Sequence, residues 1–422
     1  MTTQHASAAA AVLAGYGDLA GWQEATYRTF HQHPELGDQE VATAATAAQA
    51  LRETGFEVHE GIGTTGVVGV LRNGDGPVVL MRADMDALPM KEETGLPYAS
   101  VDRQADANGN MVPVAHACGH DVHVASLMGA ARLLAEGRSH WQGTFVALFQ
   151  PAEELATGAA GMVGSGLAGL IPRPDVALAQ HLLAYPAGQV GTHVGPFLST
   201  GASMRITVHG RGSHGSMPQR SVDPVVLAAM IVVRLQAIVA REVAPGEFAV
   251  VTVGRLAAGT KSNIIPDNAV IELNIRAYDR DTKQLLVDAI ERVVKGECAA
   301  SGSPRDPAFE TYDEYPLTSN DPDVTAKVAA AFTDHFGDNA ITVPRQSASE
   351  DFSAIPEAFG APYTYWAIGG VDPAAWLQAQ ASGRLATDIP ANHSPKFAPV
   401  PQPTLKTGTE AIVVAALAWL AA

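Results

Sequence analysis

Cys118 and His120 stand two apart in His116-Ala117-Cys118-Gly119-His120-Asp121, and in an extended segment side chains at that spacing leave the same face of the chain. Thiolate and imidazole are borderline-to-soft donors that suit zinc and its neighbours. Glu154, in Gln150-Pro151-Ala152-Glu153-Glu154, and His181, in Gln180-His181-Leu182, would complete such a site from elsewhere. Adjacent side chains do not face the same way, so one of Glu153 and Glu154 can bind metal while the other reaches a water. That is a hydrolase's arrangement. A lone Cys or His is usually structural, and a closed structural zinc site is the blander reading of this set. Such a site has no use for Glu153, and four candidate ligands beside an extra carboxylate outweigh coincidence. Asn392-His393-Ser394-Pro395 adds a late histidine in a loop.

Positioning these groups falls to alternating helices and short apolar strands. Residues 18–30 and 40–54 read as helices, the second closed by Gly55. Residues 67–71 and 78–82 read as strands joined by the turn Asn73-Gly74-Asp75-Gly76. A helix over 123–136 and buried strands over 144–149 and 176–180 follow. The pattern predicts an α/β domain with a largely parallel sheet, each motif just past the C-terminal end of a strand, where ligand sites gather. From about Thr200 the rhythm changes to strand 204–209, helix 223–241, strands 249–256 and 269–277, helix 281–301 and strand 309–312. That β-α-β-β-α-β order is the ferredoxin-like split unit, inserted before α/β character resumes with helices over 323–336 and 405–420.

Composition narrows the function classes. A chain of 422 residues exceeds what one core usually organises, so two domains are expected. A net charge of −17 argues against nucleic acid, which needs clustered Lys and Arg, and more weakly against anionic membrane surfaces. Two cysteines far apart make no disulfide framework. Residues 1–16 have no Lys or Arg before their apolar stretch, and the run 411–422 is too short to span a bilayer, so a cytoplasmic enzyme is expected. Gly61 to Gly66 and Gly164 to Gly169 match the dinucleotide fingerprint, but neither stands between a strand and a helix. Gly254 to Gly259 before Thr260-Lys261-Ser262 is only a near-miss to a P-loop.

The motifs run in order: His31-x-His33-Pro34-Glu35, Arg82-Ala83-Asp84-Met85-Asp86-Ala87-Leu88-Pro89, the Cys118 and Glu153 motifs, and Gly212-Ser213-His214-Gly215 before Asp223-Pro224. Asn263-Ile264-Ile265-Pro266, Ser349-Glu350-Asp351-Phe352 and His393-Ser394-Pro395 complete them. Over nearly its whole length the chain resembles the M20 metallopeptidase family, subfamily D, amidohydrolases that cleave N-acyl and N-aroyl amino acids. It is similar in particular to bacterial aminoacylases acting on N-α-acyl-glutamine, through Arg241-Glu242-Val243 and Asn392-His393. The resemblance implies a zinc-peptidase-like catalytic domain over residues 1–199 and 313–422, with a ferredoxin-like α+β lid and dimerisation domain over 200–312. It also implies Cys118, His120, Glu154, His181 and His393 as metal ligands, Cys118 bridging if two ions bind. Zinc is the first expectation, with manganese, cobalt and nickel as other fitting ions, one or two per subunit. Glu153 matches the family's general base and Asp86 a carboxylate that orients the site. His214, Asn263 and Arg276 fall where the lid contacts substrate, and the lid pairs with its copy in a homodimer. Leu155 stands where a Gly is commoner, and Ser213 where a second Gly is usual before His214.

The implied reaction is hydrolysis of the amide bond of a small N-acyl amino acid. Glu153 would take a proton from water and return it to the leaving amine. His214 would donate to the oxyanion, and Asn263 and Arg276 would hold the amino-acid carboxylate. A lid-surface salt bridge is the competing reading of Arg276. Three other functions compete: a cysteine hydrolase built on Cys118 and His120, a carboxypeptidase or dipeptidase sharing every catalytic residue, and a non-enzymatic zinc-binding protein.

Overall fold

Apolar runs rich in β-branched residues become strands covered on both faces: Val78–Asp84 and Gly143–Gln150 are buried almost throughout. A computed structural model describes residues 3–421. Met1, Thr2 and Ala422, at the ends of the two Ala-rich terminal stretches, lie outside the described residues. The chain divides into two compact units, Met1–Phe197 with Ser319–Arg345 and Asp351–Ala422, and Leu198–Thr318 with Gln346–Glu350.

The first unit is built on an eight-stranded sheet. Its order is Glu57–Ile62, Gly66–Asn73, Gly143–Gln150, Val78–Asp84, Val176–Pro186, Tyr363–Val371, Val190–Thr192 and Ala340–Thr342. The central pairs, from Gly143–Gln150 to Tyr363–Val371, are parallel. Pairing among the first three strands, and of Tyr363–Val371 with Val190–Thr192, is antiparallel. The turn at 73–76 therefore closes no hairpin, because Gly143–Gln150 lies between the strands it joins. A glycine-rich turn serves a crossover as well as a hairpin, and the wholly apolar strand takes the covered place. The glycines of 61–66 turn the hairpin between Glu57–Ile62 and Gly66–Asn73, which accounts for them without a nucleotide.

Helix His120–Glu136 is buried on every side, with Tyr16–Gln32 and Pro401–Leu420 packed on it. Gln23 ties the three together: its Nε2 donates to the Ala125 carbonyl at 2.9 Å and to Thr409 Oγ1 at 2.6 Å. A buried amide without those acceptors costs roughly 1–3 kcal/mol, so the pairing also fixes how the helices align.

The second unit is a four-stranded antiparallel sheet of order Ala249–Ala258, Asn268–Ala277, Thr200–His209 and Ala308–Tyr315, the β-α-β-β-α-β topology expected of it. Alternate residues Ala269, Ile271, Leu273 and Ile275 face the core, as strand periodicity requires. Leu227, Ile231, Leu235 and Ile238 meet them at helical spacing from Pro224–Arg241. Asp223 caps that helix by accepting from the Val225 and Val226 N–H groups, with Pro224 in its first turn. By length and composition this is the one helix among the described residues able to cross a membrane. One face belongs to the unit's core, whereas Val225, Val226, Met230 and Val233 are exposed.

Candidate metal centre

Helix His120–Glu136 starts on the candidate ligand itself, and Gly119 before it is left-handed at φ +86. Cys118 and His120 are thus brought round a tight turn and do not project from one face of an extended segment. Glycine is required there twice over. No side chain favours that φ, and a Cβ would lie 2.6 Å from Leu182 Cδ2. His181 likewise sits within strand Val176–Pro186, not past its end.

The side chains converge. His120 Nδ1 donates to the Asp86 carbonyl oxygen at 2.8 Å and lies 3.2 Å from Asp86 Oδ1, while the Glu154 N–H donates to Asp86 Oδ2 at 2.9 Å. One buried carboxylate thereby orients two candidate ligands from behind. Donor atoms of Cys118, His120 and Glu154 all lie within 4.8 Å of one another. His181 donates from Nδ1 to the Leu182 carbonyl at 2.7 Å, and its Nε2 is 3.4 Å from Cys118 Sγ. His393, at φ +66, lies with Nε2 3.1 Å from Glu154 Oε1. A carbonyl only accepts, so Nδ1 of His120 and of His181 carries the proton and Nε2 is left for the centre. His120 Nε2 is buried and has no hydrogen-bond partner.

The electrostatics are those of a site suited to a cation. Burial, then Glu154, pushes the Cys118 thiol up, so without positive charge it stays protonated. Cys118 and Glu154 push His393 up to about 10, and burial opposes them. At His120, burial favours the neutral ring, but Asp84 and Cys118 outweigh it and hold the imidazole well above its usual range. Burial, reinforced by His123, takes His181 far the other way. One thiol, one carboxylate and three imidazoles, with protons where a divalent ion would put charge, fit zinc or a neighbouring metal. A raised thiol is the opposite of what a nucleophilic cysteine needs, so the cysteine-hydrolase reading loses its basis.

Sequence reasoning assigned no role to Arg82, Asp84 or His123. Asp84, His120, His123 and His181 form a second group within 4.8 Å. His123, however, uses Nδ1 on Asp84 Oδ1 at 2.5 Å and accepts the Leu182 N–H on Nε2 at 2.8 Å, so both nitrogens are occupied. Asp84 also takes Arg82 Nη1 at 2.5 Å, and all three residues are fully or almost fully buried. They brace one another beside the candidate ligands His120 and His181. Arg82 and Asp84 at i and i+2 of an otherwise apolar strand were the available signal.

Glu153 is buried and turned to a different set from Glu154, with a carboxylate oxygen within 4.8 Å of one from Asp351. Its loop carries Ala152 at φ +49, a conformation that costs a residue other than glycine. Glu40 holds that residue. It accepts the Ala152 N–H at 2.8 Å on one oxygen and the Thr65 hydroxyl at 2.6 Å on the other, with no solvent exposure. Burial, with a contribution from Asp86, pushes the Glu40 carboxyl from 4.5 up to about 7. A folded pKa above the unfolded one gives stability that is complete below about 4.5 and lost as pH rises through about 7. Urea midpoints of the metal-free protein should therefore fall between pH 5 and 8 relative to those of Glu40→Gln. Parallel curves for the two proteins would contradict this assignment.

In the second unit, Ser213–His214 pairs with Ile264–Ile265, and the Gly215 N–H donates to the Asn263 carbonyl at 2.9 Å. Residues 49 positions apart, His214 and Asn263, are thereby neighbours. His214 Nδ1 accepts the Ser216 N–H at 3.1 Å, which puts the ring proton on Nε2 and makes that edge a donor. Arg276 forms no lid-surface salt bridge among the described residues. Its Nε donates to Asn274 Oδ1 at 3.1 Å, and its Nη1 to the Ser347 carbonyl and Ser349 Oγ, both at 3.0 Å. This fixes the guanidinium while leaving its charge uncompensated.

The sequence profile of peptidase family M20/M25/M40 matches residues 80–380. A protein of Campylobacter jejuni named hippurate hydrolase is 41% identical over 286 residues, 67% of this chain and 72% of its own. One of Bacillus subtilis named N-acetylcysteine deacetylase is 33% identical over 354 residues, covering 82% and 88%. The crystal structure of Bacillus subtilis YXEP protein, described as a dinuclear metal binding peptidase from the M20 family, superposes with a TM-score of 0.74 at 27% identity, covering 95% of this chain and 98% of that one.

Proposed function

The chain belongs to peptidase family M20/M25/M40 and is a hydrolase, and from that premise we propose that it cleaves the amide bond of N-acyl amino acids with the help of a divalent ion. The observation that carries this reading is the meeting of Cys118, His120, Glu154, His181 and His393, with His120 Nε2 buried and without a hydrogen bond among the described residues. Those five residues would hold the ion, with zinc the first choice for a thiolate and three imidazoles. If two ions bind, as the description of the YXEP structure states for that protein, the same five residues would hold them. A bound divalent ion supplies Lewis acidity toward the acyl carbonyl and acidifies water toward neutral pH.

The rest is the work of this chain's own side chains. Glu153 takes a proton from the attacking water and returns it to the leaving amine. His214, with its proton on Nε2, donates to the oxyanion. Asn263 and Arg276 receive the amino-acid carboxylate, and the guanidinium's freedom from a carboxylate partner among the described residues supports that role. Asp86 keeps His120 and Glu154 oriented. Relatives named for hippurate hydrolysis and for N-acetylcysteine deacetylation support an acyl amino acid substrate, while others at similar identity are named carboxypeptidases. N-acyl-glutamine is the member of that class we favour. The exposed apolar face of Pro224–Arg241, Val225, Val226, Met230 and Val233, supports pairing of the second unit with its copy in a homodimer.

A panel of N-acyl amino acids and dipeptides, assayed with metal analysis on one preparation, tests this reading. Turnover should fall on acyl amino acids, with at least one ion per chain. Cleavage of dipeptides alone would move the enzyme to the peptidase branch, and metal without any turnover would leave a binding protein.

A further inference from the structure

The side-chain amide of Asn392 donates from Nδ2 to two carbonyl oxygens, that of Cys118 at 3.1 Å and that of Leu182 at 2.9 Å. The first belongs to the turn that presents Cys118 and His120, the second to the strand that presents His181. Leu182's carbonyl is also the acceptor that fixes the His181 ring through Nδ1. The next backbone N–H, that of His393, donates to the Ala117 carbonyl at 2.8 Å. A single amide group thus joins three stretches of chain that carry four of the five candidate ligands.

Its chemistry suits the place. An NH2 group has two protons, and here they meet two carbonyl oxygens, with Cys118 Sγ a more distant third acceptor. It is neutral, whereas a carboxylate there would face two carbonyls and crowd a third anion beside Cys118 and Glu154; Nδ2 is 3.9 Å from Cys118 Sγ. His393 is held at φ +66, which a residue with a Cβ adopts only when its surroundings impose it. The Ala117 and Asn392 bonds are that imposition.

We infer that Asn392 is a positioning residue of the metal centre, its Nδ2 keeping the Cys118 turn, the His181 strand and His393 aligned on one ion. The inference rests on the ligand reading above and extends it to a residue whose side chain does not bind the ion. Groups that orient ligands from behind are worth roughly 10–100-fold in metal affinity, and Asn392 serves three ligand-bearing segments at once.

The test measures metal, not turnover. Zinc affinity is read by competition with a chromophoric chelator, and the cobalt-substituted protein reports the thiolate through its charge-transfer band in the near ultraviolet. Asn392→Ala should bind zinc roughly 10–100-fold more weakly and show a weakened or shifted band. Wild-type affinity with an unaltered band in Asn392→Ala overturns the inference. Should the alanine variant not fold, Asn392→Asp, which keeps the shape and loses both donors, decides by the same two readouts. Cys118→Ser, measured alongside, separates the failures. A band that survives Cys118→Ser defeats the ligand reading, while a band lost there but untouched in the Asn392 variant defeats only the positioning role.

Discussion

Glu153→Gln is expected to keep bound metal near the wild-type amount while turnover falls by about 10²–10⁴-fold, the loss that follows removal of a positioned general base. The amide has the carboxylate's shape, so the loop that Glu40 holds through the Ala152 N–H has no reason to move. Glu154 remains to meet Cys118 and His120. What is lost is the lone pair that takes a proton. Metal content by elemental analysis and kcat on one N-acyl amino acid, from the same sample, make the comparison. Loss of metal from Glu153→Gln with retention in Glu154→Gln would mean that the two neighbours have exchanged roles.

Removal of the metal should abolish turnover altogether, and zinc should restore it. Cys118→Ser should reproduce most of that loss, because a hydroxyl is a poor substitute for a soft thiolate and metal content and activity depend on the same atom. Cys298→Ser is the control. Cys298 lies in the core of the second unit, on helix Arg280–Ala300, and no candidate ligand set includes it. Its replacement should leave metal stoichiometry unchanged. Full activity and full metal in Cys118→Ser would remove the thiolate from the centre and with it the choice of zinc.

What is legible in the sequence is whatever has a local cause. Pro224–Arg241 announces itself by an Asp cap, a first-turn proline and apolar residues every three or four positions. The split β-α-β-β-α-β unit follows from the order of such elements. Cys118, His120 and Glu154 stand out because a thiol, an imidazole and paired carboxylates are chemically conspicuous. Strand order in the large sheet has no such mark, since which apolar run lies between two others depends on all of them together. Glu40 reaching Ala152, His123 bracing Asp84 and Asn392 bridging Cys118 to Leu182 each join residues far apart in the chain. Hydrogen bonds of that kind leave no periodicity to read. The extended geometry assumed for Cys118 and His120 fails for a local reason that is visible afterwards: Gly119 between them makes the turn.

The order of strands in the large sheet sets a timetable for synthesis. Val176–Pro186 leaves the ribosome long before Tyr363–Val371, the strand that pairs with it on the side away from Val78–Asp84. Until then one edge of a buried, apolar strand has no neighbour, the condition under which nascent chains pair with one another. His393 and the helix Pro401–Leu420 that covers His120–Glu136 come later still. Residues 200–315, whose sheet contacts are local to that stretch, are free to fold in the interval. The centre is therefore among the last parts of the molecule to close, and a chain released short of its final thirty residues holds every strand of the large sheet but lacks His393 and the helix Pro401–Leu420.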